Sequence, residues 1–175
     1  ILPMEVLGGN NPFFEKSFDA NVVRFCFLQA HYRSVLDISN DAMIAAEKGF
    51  NRLMEGISLL DKLESSSTST LSIEKWKNQC YDAMNDDFNS PILIANLFEG
   101  VKYINLVNDK KETLTAEDIA LLKETLSGFV FDVLGIKNVK SSSNNVDKLT
   151  GVVEMLITMR DEARANKNWA LSDEI

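Results

Sequence analysis

At 175 residues, the chain is long enough for one domain, or for one domain with an appendage, at roughly 100–200 residues per domain. Hydrophobic residues make up 45% and charged residues 25%, a globular balance that excludes disorder as the main state. Eight glycines and three prolines are too few for an all-β protein with a turn about every 8–12 residues. The formal net charge of −8 argues against non-specific nucleic-acid binding, so any RNA contact requires a local basic patch.

The first predicted elements are a short helical turn opened by Pro3 and a strongly apolar segment further on. Gly and Asn residues break the N-terminal stretch, in which the Phe13–Phe14 pair is expected to form buried anchors. Asp19 is predicted to cap a helix over about Ala20 to Tyr32 that is apolar on all sides and therefore buried. A buried strand remains an alternative, because periodicity cannot decide so short a run. The absence of a turn signal favours the helix.

Five further helices are predicted from apolar residues spaced three and four positions apart. They cover about Asn40 to Leu63, Ile73 to Asp86, Ser90 to Asn108, Thr115 to Val133, and Val146 to Asn166. The residues expected to face the core include Met43, Ala46, Phe50, Leu53, Trp76, Cys80, Leu97, Val101, Leu122, Leu126, Val133, Leu156 and Met159. Polar loops, Ser65–Thr70 and Lys140–Asn145, separate some of them, and the first is expected to be flexible. Short connections between neighbouring helices predict an all-α antiparallel bundle of five to six helices.

Helix ends carry recognisable capping residues. Ser39 is expected to cap the second long helix, and Ser90 to cap a later one with Pro91 at its first position. Thr115 followed by an acidic residue three positions on resembles a capping box. Gly135 is the expected residue just beyond the end of that helix.

Catalytic and metal-binding signals are weak, and we predict no catalytic, cofactor or metal residue. His31 is the only histidine, and a packing role is favoured over a general base. Cys26 and Cys80 lie far apart in apolar segments and are interpreted as reduced core residues of a cytoplasmic protein. With a single histidine, they do not supply the three or four suitably spaced ligands that zinc requires. The Asp86–Asp87 pair is explained by turn formation and by the helix dipole that follows it, with a divalent-metal role as the minor alternative. Nucleotide-binding glycine motifs and a membrane-spanning run are absent from the sequence.

One local basic edge stands out. Arg160, Arg164 and Lys167 recur at positions i, i+4 and i+7, which places them on one side of the last helix. Such a stripe on an acidic chain is a candidate phosphate contact. The alternative is a solvated edge paired with Asp161 and Glu162.

Four segments in order resemble the C-terminal half of the cysteinyl-tRNA synthetases, a family of class I aminoacyl-tRNA synthetases. The first is VRFCFLQAHYRS at 23–34 continuing into LDISNDA at 36–42, and the second is DDFNSP at 86–91. The third is VLGI at 133–136, and the fourth combines RDEAR at 160–164 with KNWALSDEI at 167–175. Cys26 stands where the family often has an aromatic or aliphatic residue, Ile38 replaces an aromatic residue, and Ser90 replaces a threonine.

The resemblance implies a division of the chain and a function. Residues 1–38 are expected to be a connector after the family's KMSKS loop, and residues 39–175 a tRNA-binding helical bundle called the DALR domain. The implied parent enzyme is an ATP-dependent ligase that attaches cysteine to its tRNA, with ATP, magnesium and zinc held by an N-terminal part not included in this chain. This fragment alone is expected to be inactive and to hold no cofactor.

The expected partners are a cysteine-specific tRNA and the enzyme's own catalytic domain, with no membrane and no DNA. Arg160, Arg164, Lys167 and Arg33 are the candidate tRNA contacts. The rival interpretation is a stand-alone helical module that binds protein, which would require a large exposed apolar patch.

Overall fold

The computed structural model of the chain describes residues 3–8, 12–36, 38–137, 155–161 and 164. Every regular element in these ranges is helical, which confirms the all-α prediction. The α-helices are α1 Pro3–Gly8, α2 Ala20–Leu28, α3 Asn40–Leu59, α4 Ile73–Asn85, α5 Ser90–Asn108 and α6 Ala116–Ser127. A 3₁₀ turn, Leu60–Lys62, extends α3, and a π-helix, Gly128–Val133, extends α6. In the described ranges, no helix has the length and apolar character needed to cross a membrane.

The chain divides into two compact units, Ile1–Lys137 and Asn138–Ile175. In the first unit, α3 packs against α2 and α5, and α4 packs against α5 and α6. In the second unit, residues 155–161 and Arg164 are helical, within the helix predicted there. The predicted loop Lys140–Asn145 and Lys167 lie outside the described residues.

Three of the predicted N-caps are confirmed by their hydrogen bonds. The Asp19 carboxylate accepts from the backbone N–H of Asn21 at 2.8 Å, and Ser39 Oγ accepts from Ala42 at 3.2 Å. Thr115 Oγ1 accepts from the backbone N–H of Asp118, the third residue of α6, at 3.3 Å. Side-chain oxygens thus satisfy donors that lack partners in the first turn of a helix.

The predicted cap of α5 is wrong by one residue. Asn89, not Ser90, precedes the helix, and its side-chain oxygen accepts from the N–H of Ile92 at 3.4 Å. The Asn89 amide also donates to Asp86 at 3.2 Å, which holds the side chain in the capping position. Asparagine and serine cap helices about equally well, so the local sequence alone did not distinguish them.

The predicted core is largely confirmed. Gly56 and Gly100 allow the closest helix contacts: a Cβ at Gly56 would lie 2.6 Å from Val101 Cγ1, and one at Gly100 would lie 2.6 Å from Trp76 Cζ2. Trp76 is buried, and its indole N–H donates to the carbonyl of Asn96 at 2.7 Å. The other predicted core residues found buried are Met43, Ala46, Phe50, Leu53, Cys80, Leu97, Leu122 and Leu126.

Val133 was predicted to be inward, but half of its surface is exposed. The cause is the π-helix, in which the backbone N–H of Leu134 donates to the carbonyl of Phe129, five residues earlier, at 2.8 Å. The wider turn shifts the register that the 3.6-residue period assumes. Gly135 follows with φ +64°, as expected for a residue that ends a helix.

Two predictions near the N-terminus are also wrong. Helix α2 ends at Leu28 rather than Tyr32, because the chain tightens into 3₁₀-type bonds at Gln29 and Ala30. Of the phenylalanine pair, Phe14 is buried but Phe13 is 71% exposed. Alternation of burial within the pair follows from an irregular backbone, in which adjacent side chains point in different directions.

Leu156 and Met159 are both exposed, contrary to the predicted burial. Apolar spacing establishes that a helix has an apolar face, but it does not supply a packing partner for that face.

The Ser65–Thr70 loop is irregular as predicted. It is not a free linker, however, because hydrogen bonds from Ser66 and Thr70 to the 113–114 backbone hold it in place.

Candidate interaction surfaces

The predicted basic edge lies partly within the described helix of the second unit. Arg160 and Arg164 are both exposed and four residues apart, so they share one side of the helix. Lys167, the third member, lies outside the described residues. The two arginines can therefore present guanidinium groups to an anion on one helix face.

Arg33, the fourth candidate, lies in the first unit and takes part in a side-chain cluster. Its Nε lies 3.2 Å from Asp87 Oδ2 in an ion pair and donates to Tyr32 Oη at 2.8 Å. Tyr32 Oη in turn donates to Asp87 Oδ1 at 2.7 Å. This hydrogen bond to a carboxylate raises the pKa of Tyr32. Arg33 is thus paired with a carboxylate in the first unit, and its contact with phosphate stays a prediction.

His31 has contacts that account for its position without a catalytic role. Its ring stacks on Tyr32 with 4.8 Å between centroids, and its Nδ1 accepts from the backbone N–H of Arg33 at 3.3 Å. The Arg33 guanidinium also lies over the Tyr32 ring, 5.3 Å from its centroid. Residues 31–33 therefore form a stacked, hydrogen-bonded group at the end of α2.

The turn between α4 and α5 is the other half of this cluster. Asp87 and Phe88 have φ values of 55° and 53°, in the left-handed region that costs an ordinary L-residue about 1–2 kcal/mol. Asp87 is fixed by Tyr32 and Arg33, which are more than 50 residues away in the sequence. Sequence reasoning treated the aspartates as turn residues and missed this long-range contact. The turn also leaves the Phe88 ring 68% exposed.

Among the described residues, no group of three or more His, Cys, Asp or Glu side chains is arranged to hold a metal ion. Both cysteines are free and buried. Burial raises the pKa of Cys26, and burial together with Glu99 raises the pKa of Cys80 to about 12. Because the thiolate is the form that attacks a substrate, these raised pKa values disfavour nucleophilic attack by either thiol near neutral pH.

The fold defines an all-α helical domain, built from packed amphipathic helices with exposed polar and aromatic side chains. Residues 79–138 match the family model of the DALR domain. This stretch runs from the middle of α4 to five residues beyond the π-helix and includes the strained turn.

Nearly the whole chain is similar to curated cysteine–tRNA ligases. It is 46% identical over 168 residues to the cysteine–tRNA ligase of Parabacteroides distasonis, a match covering 95% of this chain and 34% of that protein. Identity to the cysteine–tRNA ligase of Bacteroides thetaiotaomicron is 45% over 174 residues, covering 98% of this chain and 35% of the relative. Over 95–98% of its length the chain is similar to these cysteine–tRNA ligases, and it spans about a third of the length of the relatives.

Proposed function

We propose that this chain is the tRNA-binding helical region of a cysteine–tRNA ligase. The observation that carries the proposal is the 45–46% identity to two such ligases along nearly the whole chain. The match covers only about a third of each relative. We therefore expect other residues of the ligase to perform the reaction itself. The cytoplasm is the proposed location, which agrees with two free, buried thiols.

Charge argues for a localised RNA contact. With a net charge of −8, most of the chain repels a polyanion, so phosphates have to meet a particular cationic edge. Arg160 and Arg164 supply two guanidinium groups on one exposed helix face. Arginine forks match phosphate geometry and position a backbone without reading sequence.

Binding of labelled tRNA to the chain at several salt concentrations tests this proposal. Arg160→Ala is expected to weaken binding and to reduce the salt slope by about 0.7–0.9, as for one lost phosphate contact. Lys75→Ala on α4 is the matched control, because Lys75 is an exposed cation on a different helix. Equal affinities and slopes for the wild type and a folded Arg160→Ala variant would contradict the proposed contact.

The catalytic part of the proposal concerns groups outside this chain. ATP, magnesium and zinc are expected to bind elsewhere in the ligase, and the 175 residues alone are expected not to form cysteinyl-adenylate. Cysteine-dependent pyrophosphate exchange measures this directly. Exchange above background by the purified chain would refute the proposed division of labour.

A protein-binding module is the second candidate. Four adjacent apolar side chains of the second unit are exposed by 41–59%: Met155, Leu156, Ile157 and Met159. Met155 and Met159, four residues apart, share one side of the helix, and exposed apolar residues at this spacing are typical of a groove-binding helix. Salt-dependent tRNA binding by the isolated chain would favour the first candidate.

A further inference from the structure

The turn after α4 presents an aromatic ring outward in a fixed position. Phe88 is 68% exposed although its backbone φ is 53°, a conformation that its own side chain does not favour. Its N–H donates to the carbonyl of Met84 at 3.1 Å, and the N–H of Asn89 donates to Ala83 at 3.0 Å. The ring gains little burial within the chain from this arrangement, so internal packing does not explain it.

Two side chains that follow α2 hold the turn through Asp87. Tyr32 and Arg33 both bind the carboxylate of Asp87, at 2.7 Å and 3.2 Å. Tyr32 is itself 61% exposed and stacked on His31. The Tyr32 ring and the backbone that carries Phe88 are thus held in place before any partner arrives, which reduces the entropy lost on binding.

A shallow groove of about 360 Å³ adjoins the turn and has acidic walls. Ile92, 48% exposed, and Ala83 supply its apolar surface, while Asp82 and Asp86 line it with carboxylates. In the part of the chain that the structure describes, no Lys or Arg forms an ion pair with either carboxylate. We call Tyr32, Phe88, Ile92, Asp82 and Asp86 the docking patch.

We propose that the docking patch binds the remainder of the ligase, on a face where Lys or Arg residues surround an apolar pocket that accepts Phe88. This inference rests on the proposed function. The ligase relatives are about three times as long as the matched region, so a ligase of their length would contain other domains that could supply such a partner surface.

The chemistry of the patch favours protein over RNA as its occupant. Carboxylates at Asp82 and Asp86 repel phosphates and attract cationic side chains. Tyr and Phe rings are enriched at protein interfaces, where they fill pockets on the partner.

Hydrogen exchange of the complete ligase without tRNA, compared with the isolated chain, tests the proposal. Amides of residues 86–92 are expected to exchange more slowly in the complete ligase. Phe88→Ser should abolish this protection, whereas Phe13→Ser, at another phenylalanine of similar exposure (71%), should preserve it. Both variants are first checked for unchanged helix content and unchanged tRNA affinity in the isolated chain.

Two results would overturn the docking patch: equal exchange in the complete ligase and the isolated chain, or protection that develops only when tRNA is added. Binding of tRNA by the isolated chain is measured separately, so failure of the proposed function is distinguishable from failure of the docking proposal. Protection without tRNA binding would support the patch and contradict the tRNA role.

Discussion

Replacing Gly56 with alanine is expected to destabilise the bundle, although alanine is the better helix former. The new Cβ would lie 2.6 Å and 2.8 Å from the two methyl carbons of Val101 and 3.2 Å from its Cβ. Val101 is 1% exposed and, being β-branched, is stiff at χ1, so it cannot move away. Overpacking of this kind costs about 1–3 kcal/mol, and contact with three atoms of a stiff side chain places the cost near the upper end. The higher helix propensity of alanine offsets about 1 kcal/mol of this cost. The net decrease in the free energy of unfolding is therefore about 2 kcal/mol.

Gly128→Ala is the matched control for this prediction. A Cβ there would have nothing within 4 Å, and the backbone φ of −60° suits any residue. The same substitution should therefore stabilise the chain by up to about 1 kcal/mol. Urea unfolding followed by circular dichroism measures both variants. A Gly56→Ala chain as stable as the wild type would refute the close α3–α5 contact.

Three further predictions concern the cap, the core and alkaline stability. Asn89→Ala should lower the free energy of unfolding by about 1 kcal/mol, and Ser90→Ala by much less; the reverse order would contradict the assigned cap. Leu97→Ala should cost about 2–5 kcal/mol because Leu97 is fully buried, and an unchanged urea midpoint would contradict that burial. Burial and the hydrogen bond to Glu99 raise the pKa of Tyr103 from 10.0 to about 12, so its contribution to stability is present below pH 10 and is lost as the pH rises to about 12. The stability difference between the wild type and Tyr103→Phe should therefore change in that window, and a constant difference would contradict the shift.

Most helix positions in the first unit could be predicted because capping residues and apolar spacing agree with each other. Asp19, Ser39 and Thr115 each precede a periodic segment and each cap a helix. The predictions from the sequence are wrong where a tertiary contact or an unusual turn determines which residues are buried. Val133 is exposed because a π-helix changes the register, and apolar spacing does not distinguish a π-turn from an α-turn.

The candidate surfaces were less predictable than the helices. The arginines of the second unit could be grouped from their spacing alone, since Arg160 and Arg164 share one helix. The Tyr32–Arg33–Asp87 cluster joins residues 55 positions apart, and helical periodicity carries no information about which ends of two helices meet. Both segments belong to the motifs that resemble the cysteinyl-tRNA synthetases, but that resemblance does not predict the contact of Tyr32 and Arg33 with Asp87.

Direct titration of the 175-residue chain with a cysteine-specific tRNA tests the central claim most simply. The account predicts binding at low salt that weakens steeply as salt is raised, with a slope that Arg160→Ala reduces and Lys75→Ala does not. A folded chain that shows no tRNA binding at low salt would contradict the assignment of this helical region to tRNA recognition.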